Sequence, residues 1–163
     1  MRHLRTAKEE FCAFLQAPSL LLPPNLTETG EDFLSKAQIG APIDLRSLRN
    51  LTKVGRNFCC GLKAPSFVPP PSVAHGTAYF LSEAQIEAPV ILSSMRYLRK
   101  LEPYFCSGLT TRAFAPPPNV IEVQDHFLHK ANIQIPVDFS SLSVTIQSIE
   151  MPGFCAMGQS VVL

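Results

Sequence analysis

The sequence predicts a solenoid of stacked rungs with one parallel sheet, and three observations carry this. One ten-residue stretch occurs three times, as Phe33–Pro42, Phe80–Pro89 and Phe127–Pro136, at steps of 47 residues. The pair Phe11-Cys12 returns with the same period at Phe58-Cys59 and Phe105-Cys106, and once more, displaced by two residues, at Phe154-Cys155. Many of the 15 prolines fall in phase with this repeat and not in one linker. Aligned on Phe11, Phe33, Phe58, Phe80, Phe105, Phe127 and Phe154, the chain steps by 22, 25, 22, 25, 22 and 27 residues. Two unit types therefore alternate, and recurring units of this size mean stacked rungs. Seven rungs would give a sheet about 34 Å long.

Each unit is expected to carry a strand around its Phe. An apolar pair at three-residue spacing precedes it: Leu51 and Val54, Leu98 and Leu101, Val120 and Val123. A turn toward Ala-Pro follows, as at Ala41-Pro42 and Ala88-Pro89. In the 22-residue units the return path is proline-rich, as in Val68-Pro69-Pro70-Pro71 and Ala115-Pro116-Pro117-Pro118. Proline lacks an N–H and fixes φ, so this path is polyproline-like and is neither helix interior nor central strand. In the 25-residue units Leu45, Leu48, Leu51 and Leu92, Met95, Leu98, Leu101 recur every third position, which suits a short 3₁₀ or α turn with one face inward.

Composition bounds the rest. The 163 residues suffice for one core, so residues 1–163 are expected to form a single domain. With 46% apolar and 17% charged residues the composition is not that of a disordered chain. The net charge of +1, without a basic block, argues against nucleic acid or an anionic membrane as partner. The apolar runs are too short to span a bilayer. The first ten residues lack the apolar core of a signal peptide, and five cysteines are an odd number for a disulfide framework. A reducing, cytoplasmic setting is the expectation. On that basis the sequons at Asn25 and Asn50 read as chance matches.

The segments Leu51-x-x-Val54-Gly55-x-x-Phe58 and Phe80-Leu81-Ser82-x-x-Gln85-Ile86 resemble the strand and following turn of leucine-rich repeats of the bacterial and phage type. The Ala-Pro and Pro-Pro segments resemble that family's convex path, and the resemblance runs from about Leu4 to the C-terminus. The family's turn asparagine is replaced by Ala37, Ala84 and Ala131, so an asparagine ladder is absent and the turn must satisfy its backbone groups otherwise. The resemblance implies a protein-binding solenoid. It also implies kinship with bacterial effectors delivered into host cells, some of which join their repeats to a ubiquitin-ligase domain that this chain is too short to hold.

In a strand, neighbouring side chains point to opposite faces. The preferred register turns every Phe inward as a stacked ladder. Glu10, Asp32, Asn57, Tyr79, Tyr104 and His126, each just before a Phe, then face outward on the sheet. Cys12, Leu34, Cys59, Leu81, Cys106, Leu128 and Cys155, each just after one, would also face outward as an apolar column. The competing register buries that column and exposes the Phe rings as a large apolar patch. Like residues two rungs apart lie roughly 10 Å from each other, too far for a disulfide, so the cysteines are expected to be reduced, small apolar fillers.

No reaction is indicated, and no cofactor or metal is expected. His126 and His129 would face opposite ways on a strand, and acidic pairs such as Glu31-Asp32 read as solvated edges. The residues expected to meet a partner are Asp32, Asn57, Tyr79, Tyr104 and His126, with Lys36, Glu83 and Lys130 at a second repeat position whose charge changes sign. Tyrosine offers amphipathic contact area with few rotors and is enriched at interfaces. The expected function is therefore binding of a protein partner through the sheet face, taken as concave. The alternatives are a structural element that stacks end to end, since neither end shows a cap for its open edge, or a piece of a larger repeat protein.

Overall fold

The computed structural model describes residues 4–75 and 78–139. Within them the chain is a parallel β-solenoid of six rungs without any helix. Fourteen two-residue strands hold it together. The main sheet stacks β2 (Gln16–Ala17), β4 (Gln38–Ile39), β6 (Lys63–Ala64), β8 (Gln85–Ile86), β11 (Thr110–Thr111) and β14 (Asn132–Ile133) in chain order. Gln16 pairs with Gln38, Gln38 with Lys63, Lys63 with Gln85, Gln85 with Thr110 and Thr110 with Asn132. These partners are 22, 25, 22, 25 and 22 residues apart, so the period read from the phenylalanines is the physical register of the stack. The expected seventh rung, at Phe154-Cys155, lies outside the described residues.

Two-stranded sheets form the other sides: β5 (Ile43–Asp44) with β7 (Phe67–Val68), β9 (Val90–Ile91) with β12 (Phe114–Ala115), β1 (Thr6–Ala7) with β3 (Glu28–Thr29), and β10 (Lys100–Leu101) with β13 (Glu122–Val123). The long return paths are chains of three-residue turns. Leu48 N–H donates to the Leu45 carbonyl and Leu51 N–H to that of Leu48, and Met95 and Leu98 repeat the arrangement from Leu92. All six of these side chains are buried, as the three-residue spacing predicts, but no turn extends into a helix.

The strand lies five residues later than the sequence suggests. Each Phe begins a ribbon of two overlapping turns. In Asp32–Ala37, Ser35 N–H donates to the Asp32 carbonyl and Ala37 N–H to that of Leu34. Asp32, Leu34 and Lys36 have φ of 58°, 56° and 55°; Leu34 and Lys36 are the third residues of the two turns, where a type II turn needs positive φ. Successive left-handed residues send their N–H groups to opposite neighbours. Leu34 donates to Phe11 of the preceding rung at 3.1 Å, while Asp32 and Lys36 donate to Arg56 and Cys60 of the following rung at 2.9 and 2.6 Å. Left-handed backbone costs a non-glycine residue about 1–2 kcal/mol, so these inter-rung bonds offset a real strain. At Ala37 and Ala84 the turn is closed by backbone bonds between rungs, with Lys63 N–H on the Ala37 carbonyl and Thr110 N–H on that of Ala84.

This geometry corrects the side-chain assignment. Because the Phe segment is a turn ribbon, strand alternation does not apply, and both Phe and the residue after it point inward. Phe33, Leu34, Phe58, Cys59, Phe80, Leu81, Phe105 and Cys106 are all fully buried. The apolar outward column expected at Leu34, Cys59, Leu81, Cys106 and Leu128 does not exist. The expected Phe ladder does: successive rings from Phe11 to Phe105 stack at 5.8, 5.1, 5.5 and 5.0 Å, within 10° of parallel. Cys12, Cys59, Cys60 and Cys106 are free thiols.

The two unit types fill one interior in two ways. Rungs built on the longer units place Ile39 with Ile43, Ile86 with Val90 and Ile133 with Val137 in the core. Those built on 22-residue units place Ala64 with Phe67 and Thr111 with Phe114 there. A small residue on the main sheet is matched by a ring from the next strand, which keeps rung volume level in a close-packed interior. Thr111 keeps its buried hydroxyl satisfied by donating to the Ala88 carbonyl at 2.8 Å.

Candidate partner-binding groove

The turn ribbon carries three columns on its groove side. The first is Glu10, Asp32, Asn57, Tyr79, Tyr104 and His126. The second is Ala13, Ser35, Cys60, Ser82, Ser107 and His129. The third is Phe14, Lys36, Gly61, Glu83, Gly108 and Lys130. The first and third are left-handed at every rung, with φ between 55° and 67°, and their side chains lie on the groove side, away from the buried Phe and Leu. All eight residues expected to meet a partner belong to these two columns: Asp32, Asn57, Tyr79, Tyr104 and His126, then Lys36, Glu83 and Lys130. All eight line one groove of 660 Å³. The structure thus gathers them, but on the turn face beside the main sheet and not on the sheet itself. The sheet's own outward column is Gln16, Gln38, Lys63, Gln85, Thr110 and Asn132, and all six are exposed.

An aromatic stack forms the groove's centre. Tyr79 and Tyr104 lie 4.7 Å apart, centroid to centroid, and His126 continues the pile 4.4 Å beyond Tyr104. The Arg56 guanidinium sits 5.7 Å from the Tyr79 centroid. Next along the column, Asn57 donates through its side-chain amide to an Asp32 carboxylate oxygen at 3.1 Å. Lys36 leans over the exposed Phe14 ring, 5.6 Å from its centroid.

Sequence reasoning missed the middle column. Ser82 and Ser107 are buried and donate to the carbonyls of Ser107 and His129, each at 3.1 Å, so they form the groove floor and brace the rungs. Burial, then the nearby Glu83 carboxylate, pushes the Cys60 thiol up, while Lys36 opposes this. His126 and His129, expected on opposite faces, instead share the groove with their rings edge to face at 5.2 Å, because three residues along a turn ribbon do not alternate as they would in a strand. Gly61 and Gly108 were missed as well. The missed signal was an alignment of both unit types at this position, where glycine stands beside each long charged side chain. A Cβ on Gly61 would come 3.1 Å from Lys36 Cγ, and one on Gly108 would come 3.3 Å from Glu83 Cγ.

Among the described residues no group of three histidine, cysteine or acidic side chains is placed to hold a metal ion, and no helix is long and apolar enough to cross a membrane. No protein family, curated protein or solved structure matches the chain.

Proposed function

We propose that this solenoid is a protein-interaction module whose partner docks in the turn-face groove. The observation that carries the reading is the Tyr79–Tyr104–His126 stack, half-exposed and lined up by the rungs beneath it. Aromatic anchors set in a polar surround are the usual energetic centre of a protein interface. A rigid backbone with varied outward residues is also how repeat proteins present a binding surface. The resemblance to leucine-rich repeats of the bacterial and phage type supports the same reading. With it comes the finer proposal of an effector that acts in the reducing interior of a host cell. No reaction is proposed for the groove.

The test uses wild type and the Tyr79→Ala/Tyr104→Ala variant as baits side by side. A second pair carrying Asn at both positions controls for backbone effects, since Asn tolerates left-handed φ. Proteins retained by wild type and lost from both variants, with the variants still folded by circular dichroism, are the expected result. Equal retention by all three baits would overturn the assignment of the groove.

A further inference from the structure

Resting on that interaction reading, we infer that the groove takes an extended peptide segment in one direction. A cationic side chain of the segment lies at the Asp32 end, and a carboxylate about six residues away lies at the Lys130 end.

The aromatic stack restricts the occupant first. Its rings lie face on face along the solenoid axis, 5° and 13° from parallel. Tyr104 has both faces covered by rings, and Tyr79 has one covered by Tyr104 and the other approached by the Arg56 guanidinium. A nucleobase or sugar ring would need a free face for stacking, and neither tyrosine has one. What remains is two ring edges and two phenol hydroxyls, neither of which is hydrogen-bonded to another described residue. Edges carry the positive side of the ring quadrupole, so they suit carbonyl oxygens, which an extended peptide supplies in series.

Charge then sets the direction. The first column opens with two carboxylates, Glu10 and Asp32, while Lys36, which lines the same end of the groove, is turned onto the Phe14 ring. At the other end Lys130 stands with His126 and His129. Rung spacing converts this polarity into a register. Asp32 lies in the second rung and Lys130 in the sixth, four steps or about 19 Å along the stacking axis at roughly 4.8 Å per step. An extended chain rises about 3.3 Å per residue, so about six residues bridge the two charges. The occupant is therefore a linear segment read by order and spacing of charge, not a second folded surface.

The test is selection of random twelve-residue peptides, displayed on phage, against the intact chain. Binding of fluorescein-labelled synthetic winners is then measured by polarisation. The expected winners carry Lys or Arg and Asp or Glu about six residues apart in one order. Asp32→Lys and Lys130→Glu are each expected to weaken binding of these peptides about two- to fivefold, the size of an exposed ion pair, and selection on the double variant should return the reverse order. Left-handed positions of this ribbon already hold a lysine and a glutamate, Lys36 and Glu83 with φ of 55° and 57°, so the backbone accepts both substitutions. Winners without an order of charge that still lose binding to Tyr79→Ala/Tyr104→Ala would overturn the directional register and leave the groove assignment standing. Winners indifferent to the tyrosine variant would overturn both. A chain whose mass by light scattering doubles with concentration, and whose dimer is broken by the tyrosine variant, would show a second copy in the groove and overturn the peptide.

Discussion

The ring of Tyr79 lies 4.7 Å from that of Tyr104 and within 5° of parallel, although 25 residues separate them in the chain. Each is held by a left-handed residue on its own rung, with φ of 59° and 62°. The pair is therefore set by the scaffold and does not depend on a bound partner to bring it together. A double-mutant cycle over Tyr79→Ala and Tyr104→Ala, read by urea unfolding, should give a coupling of about 0.5–1.5 kcal/mol, the value of a stacked aromatic pair beyond its buried area. Strictly additive single mutants would show that the rings are neighbours without interacting.

Two glycines test where the stack has room. A Cβ on Gly55 would come within 2.3 Å of the carbonyl of Gly30, which is backbone of the neighbouring rung and cannot swing aside. At Gly61 the obstacle is Lys36 Cγ at 3.1 Å, part of a flexible exposed chain. Gly55→Ala should cost about 3 kcal/mol, the upper end for overpacking. Gly61→Ala should cost about 1 kcal/mol, chiefly through its left-handed φ. Thermal melting of the two variants gives the order, and a larger loss at Gly61 would mean that the close approach of Gly30 and Gly55 is not tight.

The alternation of rung types predicts a compensating pair. Ala64→Ile alone adds volume to a rung that Phe67 already fills, at a cost of about 1–3 kcal/mol. Phe67→Val alone removes much of a buried ring, at a comparable or larger cost. Together they recreate the Ile86-with-Val90 arrangement of the next rung. Their combined loss, measured by denaturant unfolding, should fall at least 1 kcal/mol below the sum of the singles, within the range of couplings between touching residues. Additivity would refute the exchange of volume.

Burial raises the Cys59 and Cys106 thiols well above their ordinary value, and at Cys59 the neighbouring Cys60 adds to this. A thiol held neutral in the fold keeps its proton to higher pH than it does in the unfolded chain. The unfolded state therefore loses protons first. The stability these thiols contribute is complete below about pH 8.5, the unfolded value, and falls as pH rises toward the raised folded value. The slope is about 1.4 kcal/mol per pH unit for each thiol in that window. Urea midpoints at pH 7.5 and pH 10 should drop more for wild type than for Cys59→Ala/Cys106→Ala. Mass-spectrometric mapping of alkylation at pH 8 should find Cys12 and Cys60 labelled before either buried thiol.

The period, the Phe ladder and the free thiols were legible because each depends only on equal spacing along the chain. The place of the strand was not. Left-handed backbone is usually announced by Gly or Asn, and here it is adopted by Asp32, Leu34, Lys36, Tyr79, Leu81 and Glu83, with Asn57, Gly61 and Gly108 giving the hint. The pattern of a polar residue, Phe and then Leu or Cys could not be reconciled with a half-buried strand, since it left an apolar column in water. That misfit was the sign of a turn that buries two consecutive side chains. The residues expected to meet a partner fall together all the same, because residues one repeat apart share a column whether their backbone is strand or turn. Their face was misassigned for the same reason.

Since Phe67 and Phe114 belong to every second layer only, the chain cannot gain or lose a single internal layer without setting two of one kind side by side. Its repeating unit is the couplet of 47 residues. Lengthening or shortening by couplets keeps large against small throughout. It also moves the position opposite Lys130 two layers at a time, so a lineage that changed length would change the span of whatever it grips in jumps of about 10 Å.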